Sequence, residues 1–101
     1  MNVIDAKTLQ NWRNTQTPHV LIDVREPYEY DEVNIKGQLI PLAEVIDRKS
    51  EIPDNIPVVI HCRSGKRSAT AIKALEAMGY TNLINLEGGI IAYLELHDGT
   101  V

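Results

Sequence analysis

Residues 58–68 read Val58-Val59-Ile60-His61-Cys62-Arg63-Ser64-Gly65-Lys66-Arg67-Ser68, and this stretch decides the fold. Three β-branched apolar residues ahead of His61 describe a strand buried on both faces, as in the middle of a parallel sheet. A tight loop around Gly65 leads into a helix over residues 68–78, in which only Thr70, Lys73 and Glu76 are polar interior positions. That narrow stripe predicts a helix buried over most of its circumference. Gly79 stands where a left-handed residue closes a helix.

The same alternation runs outward in both directions. Val3-Ile4 reads as a short strand, and Asp5 is placed to N-cap a helix carrying Ala6, Leu9 and Trp12 on one face. Residues 15–18 form a loop, residues 19–24 a buried strand, and Pro27 belongs in the first turn of the next helix. Gly37 marks a turn before the short strand Gln38-Leu39-Ile40, and Leu42, Val45 and Ile46 fit one face of a short helix. Residues 47–57 read as a polar loop with Pro53 and Pro57. Leu83-Ile84-Asn85-Leu86 is a further strand, Gly88-Gly89 a turn, and residues 90–96 a last helix. Strands alternating with helices predict an α/β fold, a parallel sheet with helices on both faces. In such sheets ligands sit beyond the carboxyl ends of the strands. Two junctions qualify, Asp23-Val24-Arg25 and residues 61–68.

With 101 residues the chain is the size of one domain, expected over residues 1–101. Hydrophobic residues make up 44% and charged residues 24%, an ordinary globular balance that argues against disorder. The net charge of −4 argues against nucleic acid or an anionic membrane as partner. The longest apolar run, residues 90–94, is far too short to span a bilayer. No basic segment feeds an apolar stretch at the N-terminus, so no export signal is read there. Cys62 is the one cysteine, which excludes an intrachain disulfide and a multi-cysteine zinc site. A reducing, cytoplasmic address follows as the expectation.

The cysteine loop is where chemistry is expected. A loop between strand and helix turns successive N–H groups inward, and the helix adds its positive dipole end. Arg63, Lys66 and Arg67 supply three cations within five residues of Cys62. Without them seven basic residues face fourteen acids, so the loop is a positive island on a remainder of net charge −7. Such surroundings lower a cysteine pKa from ~8.5 to ~3.5–7.5 and also attract an anionic substrate. Cys62 is therefore a candidate nucleophile in an anion cradle. As a lone cysteine it also fits a small core position, and Arg63 a solvated turn.

These motifs resemble the rhodanese sulfurtransferases, in particular the single-domain ones. The likeness rests on Leu21-Ile22-Asp23-Val24-Arg25-Glu26-Pro27, on Glu29-Tyr30, and on Cys62-Arg63-Ser64-Gly65-Lys66-Arg67-Ser68. It continues through Gly79-Tyr80-Thr81-Asn82 and Asn85-Leu86-Glu87-Gly88-Gly89-Ile90, in the family's order. It implies a mostly parallel five-stranded sheet and a ping-pong mechanism without a cofactor. Cys62 would take sulfane sulfur from a small anionic donor such as thiosulfate, or from another persulfide. It would then pass that sulfur to a thiol, to cyanide or to a sulfur-carrier protein. The amides of Arg63, Ser64, Gly65, Lys66 and Arg67 would stabilise the terminal sulfur. Arg25 matches a position that binds the donor's sulfonate; its plain alternative is an ion pair with Glu26 or Glu29.

One stretch departs from the family pattern. Where members commonly read Gly-His-Ile-Pro-Gly-Ala, this chain has Val33-Asn34-Ile35-Lys36-Gly37-Gln38, and the next stretch is one residue shorter. That variant is similar to rhodanese modules appended to adenylating enzymes of molybdopterin and thiamine biosynthesis, which serve a small carrier protein ending in Gly-Gly. The physiological donor stays open on this basis.

Two other functions share these residues. A cysteine-dependent phosphatase needs arginine six positions after the nucleophile to clamp phosphate, and here Ser68 holds that place while Arg67 falls at five. A non-catalytic interaction module shares the fold without needing the cysteine. A glutaredoxin-like redox role lacks a second cysteine. His61 adjoins Cys62, but neighbouring strand residues point to opposite faces, so a packing role is expected. His19, His61 and His97 show no ligand spacing, and no metal site is indicated.

Overall fold

Five parallel strands form the sheet in the order β1-β5-β4-β2-β3. They are β1 (Asn2–Ile4), β2 (Val20–Asp23), β3 (Gln38–Leu39), β4 (Val58–His61) and β5 (Leu83–Leu86). Helices α1 (Ala6–Asn14), α2 (Pro27–Glu32) and α3 (Lys66–Glu76) lie between strands, and α4 (Gly89–Asp98) follows β5. This computed structural model describes residues 1–98. The expectations placed on residues 99–101 and on the His97 side chain lie outside the described residues. No helix among the described residues is long and apolar enough to cross a membrane.

The strand at the heart of the sheet is β4, and all four of its residues are buried. Its side chains alternate between two cores. Val58, Ile60 and Cys62 pack with Ala71, Ile72 and Leu75 of α3, while Val59 packs with Leu9 of α1 and with Ile90 and Tyr93 of α4. The sheet is thus covered on both sides, and removing each large apolar side chain from water contributes ~1.5–3 kcal/mol. Asp5 caps α1 as expected, its carboxylate accepting from the Thr8 N–H at 2.8 Å.

Three expectations about the elements are corrected. Helix α3 starts at Lys66 rather than at residue 68, so Lys66 and Arg67 lie in its first turn. Nor is it buried over most of its circumference. Ser68, Ala71, Ile72 and Leu75 form an ordinary one-sided stripe, while Ala74 and Ala77 are exposed and Met78 is half exposed. Alanine on a solvent face serves helix propensity, so its presence does not signal burial. Finally, residues 47–57 are not plain loop. They hold a 3₁₀ turn at Lys49–Glu51, and Leu42–Glu44 is another. Arg48 links the two through Glu44 and Glu51, and the Tyr80 hydroxyl donates to the Lys49 and Ile52 carbonyls.

The turn Gly88-Gly89 brings the start of α4 against the loop after β4. Gly89 has φ +61°, and a Cβ placed there would lie 2.3 Å from the Arg63 carbonyl oxygen and 2.7 Å from that of Cys62. Both obstacles are backbone, so no rotamer change relieves the contact. Gly79 also has a positive φ, of +101°, yet a Cβ there meets nothing within 4 Å. The two glycines should therefore respond differently to alanine. Gly79→Ala should cost about 1–2 kcal/mol, the left-handed strain alone, and Gly89→Ala about 3 kcal/mol or more. Urea denaturation midpoints of the two variants test this, and equal losses would contradict the close approach of α4.

Candidate active site

Beyond His61 the chain leaves the sheet, and Gly65, with φ +115°, turns it into α3. The Cys62 side chain, 1% exposed, lies inside that turn. The Gly65 N–H donates to Sγ at 3.0 Å, and the Ser68 hydroxyl lies 3.4 Å from it. From outside, the first amides of α4 hold the loop's carbonyls: the Ile90 N–H donates to Cys62 O at 3.0 Å and the Ile91 N–H to Arg63 O at 3.3 Å. A trans peptide points its C=O and N–H in opposite directions. Tying the Arg63 carbonyl outward therefore turns the Ser64 N–H inward. Burial alone would push the Cys62 thiol up, but the Ser68 hydroxyl and the N–H groups of Ser68, Gly65 and Ser64 oppose it and leave it below the ordinary thiol range.

The two residues that sequence reasoning missed complete this shell. Ser68, fully buried on α3, donates to Asn85 Oδ1 at 2.6 Å, and Asn85 Nδ2 donates to the Gly65 carbonyl at 3.2 Å. Ser68 stood within the quoted loop, one helical turn past its glycine. Asn85 carries no local signal, because only the pairing of β4 with β5, which sets Ile60 beside Asn85, brings it here.

The cations are not used alike. Arg63 and Lys66 are exposed and form no ion pair among the described residues. Arg67 instead turns to α2 and grips both oxygens of Glu29, at 2.6 and 2.9 Å. That grip holds the Glu29 carboxyl down at about 2, and Glu29 also accepts from the Glu26 N–H at 3.0 Å.

Arg25 is 3% exposed, and its partner is neither Glu26 nor the Glu29 carboxylate, the ion pair considered from sequence. It binds Asp23 instead, through Nε at 3.0 and 3.1 Å and Nη2 at 2.8 Å. Nη2 also donates to the Val33 carbonyl at 2.8 Å, and Nη1 reaches the Glu29 carbonyl at 3.5 Å. Asp23 is fully buried and needs a counter-charge two residues away, while the Glu29 carboxylate already has Arg67.

His61 packs on the sheet face opposite Cys62. Its Nδ1 lies 3.2 Å from the Cys62 carbonyl oxygen and its Nε2 3.6 Å from Asp23 Oδ2. Burial pushes its pKa down and outweighs Asp23, so the ring is neutral. A cavity of about 280 Å³ opens beside the loop, lined by Val33, Ile90, Ile91 and Leu94, by Arg25 and Arg63, and by the acids Glu29 and Glu32. Among the described residues no group of His, Cys, Asp and Glu side chains is placed to hold a metal ion.

Known proteins are similar to this chain in sequence and in fold. The sequence model of the family described as Rhodanese-like domain matches residues 5–96. A sulfurtransferase of Allochromatium vinosum is 39% identical over 94 residues, covering 92% of this chain and 88% of its own length. MoeZ of Mycobacterium tuberculosis, a probable adenylyltransferase/sulfurtransferase, is 35% identical over 95 residues; 91% of this chain is covered but only 24% of MoeZ. The solved structure of a rhodanese-like domain protein from Staphylococcus aureus superposes with a TM-score of 0.84 at 31% identity, covering 92% of this chain and 91% of that one. A buried thiol held by inward-facing amides at the end of the central parallel strand, matched along nearly the whole sequence, makes this chain a member of the rhodanese-like domain family.

Proposed function

We propose that the protein is a sulfurtransferase that carries sulfane sulfur as a persulfide on Cys62. The single observation that carries this reading is the Gly65 N–H aimed at Sγ from 3.0 Å, with the Ser64 and Ser68 N–H groups turned to the same sulfur. The Cys62 thiolate attacks the outer sulfur of thiosulfate or of another persulfide donor. A new S–S bond forms, the S–S bond of thiosulfate breaks, and sulfite leaves with the electron pair. The charge now rests on the outer sulfur, where the amides of Ser64 and Gly65 stabilise it. In the second half, a thiol, cyanide or a sulfur-carrier protein takes the outer sulfur and returns Cys62 as thiolate. No cofactor enters either half, and a thiolate of this kind suits the reducing cytoplasm.

Arg63 and Lys66, the unpaired cations, attract the anionic donor in this scheme. Arg63, which lines the cavity, would meet its sulfonate, and the apolar residues Val33, Ile90, Ile91 and Leu94 would accommodate the acceptor's carbon skeleton. Arg25, closed on by Asp23 and two carbonyls, lines the same cavity. The sulfurtransferase named in Allochromatium vinosum and the probable adenylyltransferase/sulfurtransferase MoeZ support the same chemistry. Phosphate ester hydrolysis fits less well, because the grip of Glu29 on Arg67 removes the arginine that would clamp a phosphate. A purely structural module would have no use for an acidified thiol.

Intact-mass spectrometry after incubation with thiosulfate should show one added sulfur, and cyanide should remove it. Cys62→Ser, nearly unchanged in volume, should keep the fold and lose transfer by ~10³-fold or more. Substantial turnover by that variant would sink the mechanism, as would wild-type hydrolysis of an aryl phosphate outpacing sulfur transfer.

Acidity gives a separate check. The rate of Cys62 alkylation against pH should inflect below the free-thiol value of ~8.5. Since the thiol is more acidic folded than unfolded, stability should also rise with pH between the folded and unfolded thiol values. An inflection at or above ~8.5 would mean that the amides do not serve the sulfur.

A further inference from the structure

Ser68 has one hydroxyl hydrogen and two neighbours that compete for it. Asn85 Oδ1 lies 2.6 Å from the Ser68 oxygen and Cys62 Sγ lies 3.4 Å from it. Asn85 cannot be turned over, since Nδ2 donates to the Gly65 carbonyl; the reversed amide would set an oxygen against that oxygen. All three side chains are buried, at 1%, 0% and 8% exposure for Cys62, Ser68 and Asn85, so no group in the chain is freely replaced by bulk water. With the hydrogen on Asn85, a thiol S–H donates to the Ser68 oxygen and every group is satisfied. With Cys62 as thiolate, the same arrangement turns a hydroxyl lone pair toward a negative sulfur. Rotating the hydroxyl to Sγ relieves this and leaves Asn85 Oδ1 unpaired, a costly state for a buried acceptor.

We propose that Ser68 is a hydroxyl rotor and that Asn85 is the positioning residue that sets its balance. The rotor turns to Sγ when the sulfur is thiolate and back to Asn85 when Sγ is bonded to a second sulfur. In that loaded form Sγ is neutral, the charge has moved to the outer sulfur, and Asn85 reclaims the hydrogen. Asn85 therefore raises the thiolate relative to both thiol and persulfide. The loaded half of the inference rests on the sulfur-transfer reading; the thiolate half does not. The charged and titratable groups around the loop (Arg63, Lys66 and Arg67, the Asp23–Arg25 pair, Glu29 and His61) keep their identities in the variants below.

The test uses Asn85→Leu, which fills the space and removes the acceptor, alone and together with Ser68→Ala. Alkylation against pH reads the thiol whether or not sulfur is transferred. Asn85→Leu should lower the inflection by about half to one pH unit, because Ser68 then donates to the thiolate without competition. In the Ser68→Ala background the same change should shift nothing. Asn85→Asp, close in shape, should move the inflection upward, and more so with Ser68 present than absent. A residue that merely props the loop would move both Asn85 variants upward, irrespective of Ser68. An unchanged or raised inflection in Asn85→Leu, or a shift that survives Ser68→Ala, would overturn the rotor. In thiosulfate with added sulfite, the persulfide fraction read by intact mass should fall in Asn85→Leu; an unchanged fraction overturns the loaded half. Wild type that never gains sulfur refutes the transfer reading, while the alkylation series still decides the rotor.

Discussion

Everything at the site depends on how closely α4 approaches the loop after β4. Gly89 permits that approach because it has no Cβ to strike the Cys62 and Arg63 carbonyls. The first amides of α4 then take those carbonyls, and the rigid peptide plane delivers the Ser64 N–H to the inside of the turn. One helix start thus orients a loop it does not belong to. The loop's own helix, α3, adds the Ser68 N–H and hydroxyl from the other side. Sγ sits between two helix beginnings whose backbone N–H groups are fixed before charge develops, and the Ser68 hydroxyl is the one donor of the shell that can turn.

Beneath the loop lies a second layer that decides which cations face outward. Asp23, fully buried at the end of β2, is paired with Arg25, and Glu29 of α2 is paired with Arg67 of α3. For the buried Asp23–Arg25 pair, removing one partner typically costs ~3–5 kcal/mol, since the other charge is stranded, while the partly exposed Glu29–Arg67 pair is screened by solvent and costs less. Two of the four arginine and lysine side chains near Cys62 therefore tie elements together. Arg63 and Lys66 are left exposed, in no ion pair among the described residues, on a chain of net charge −4. The division follows from where carboxylates lie, not from which cation is nearest the cysteine in sequence.

Cys62 unites two roles that a sequence presents as alternatives. It belongs to the apolar core with Ile60 and Ala71, and it is the best candidate nucleophile in the chain. Burial raises a thiol's pKa, so a core cysteine is ordinarily inert. Here four polar groups within the turn outweigh that penalty. Seclusion then strengthens each of those hydrogen bonds, because little water competes for the sulfur.

Local order along the chain determined the alternation of strands and helices, the capping of α1 by Asp5, and the strand–loop–helix unit with Cys62 at its turn. These features depend on residues within about one helical turn of each other, where side-chain chemistry and backbone preference act directly. The exposed face of α3 was misread because alanine favours a helix as much on the surface as in the core. Only tertiary structure decided that Arg25 pairs with Asp23, that Arg67 pairs with Glu29, and that Asn85 holds both Ser68 and Gly65. Arg67 and Glu29 are separated by 38 residues, and Asn85 and Ser68 by 17. A long side chain has several candidate partners in sequence, and strand register and helix docking bring one of them within ~3 Å, where a hydrogen bond acquires its strength.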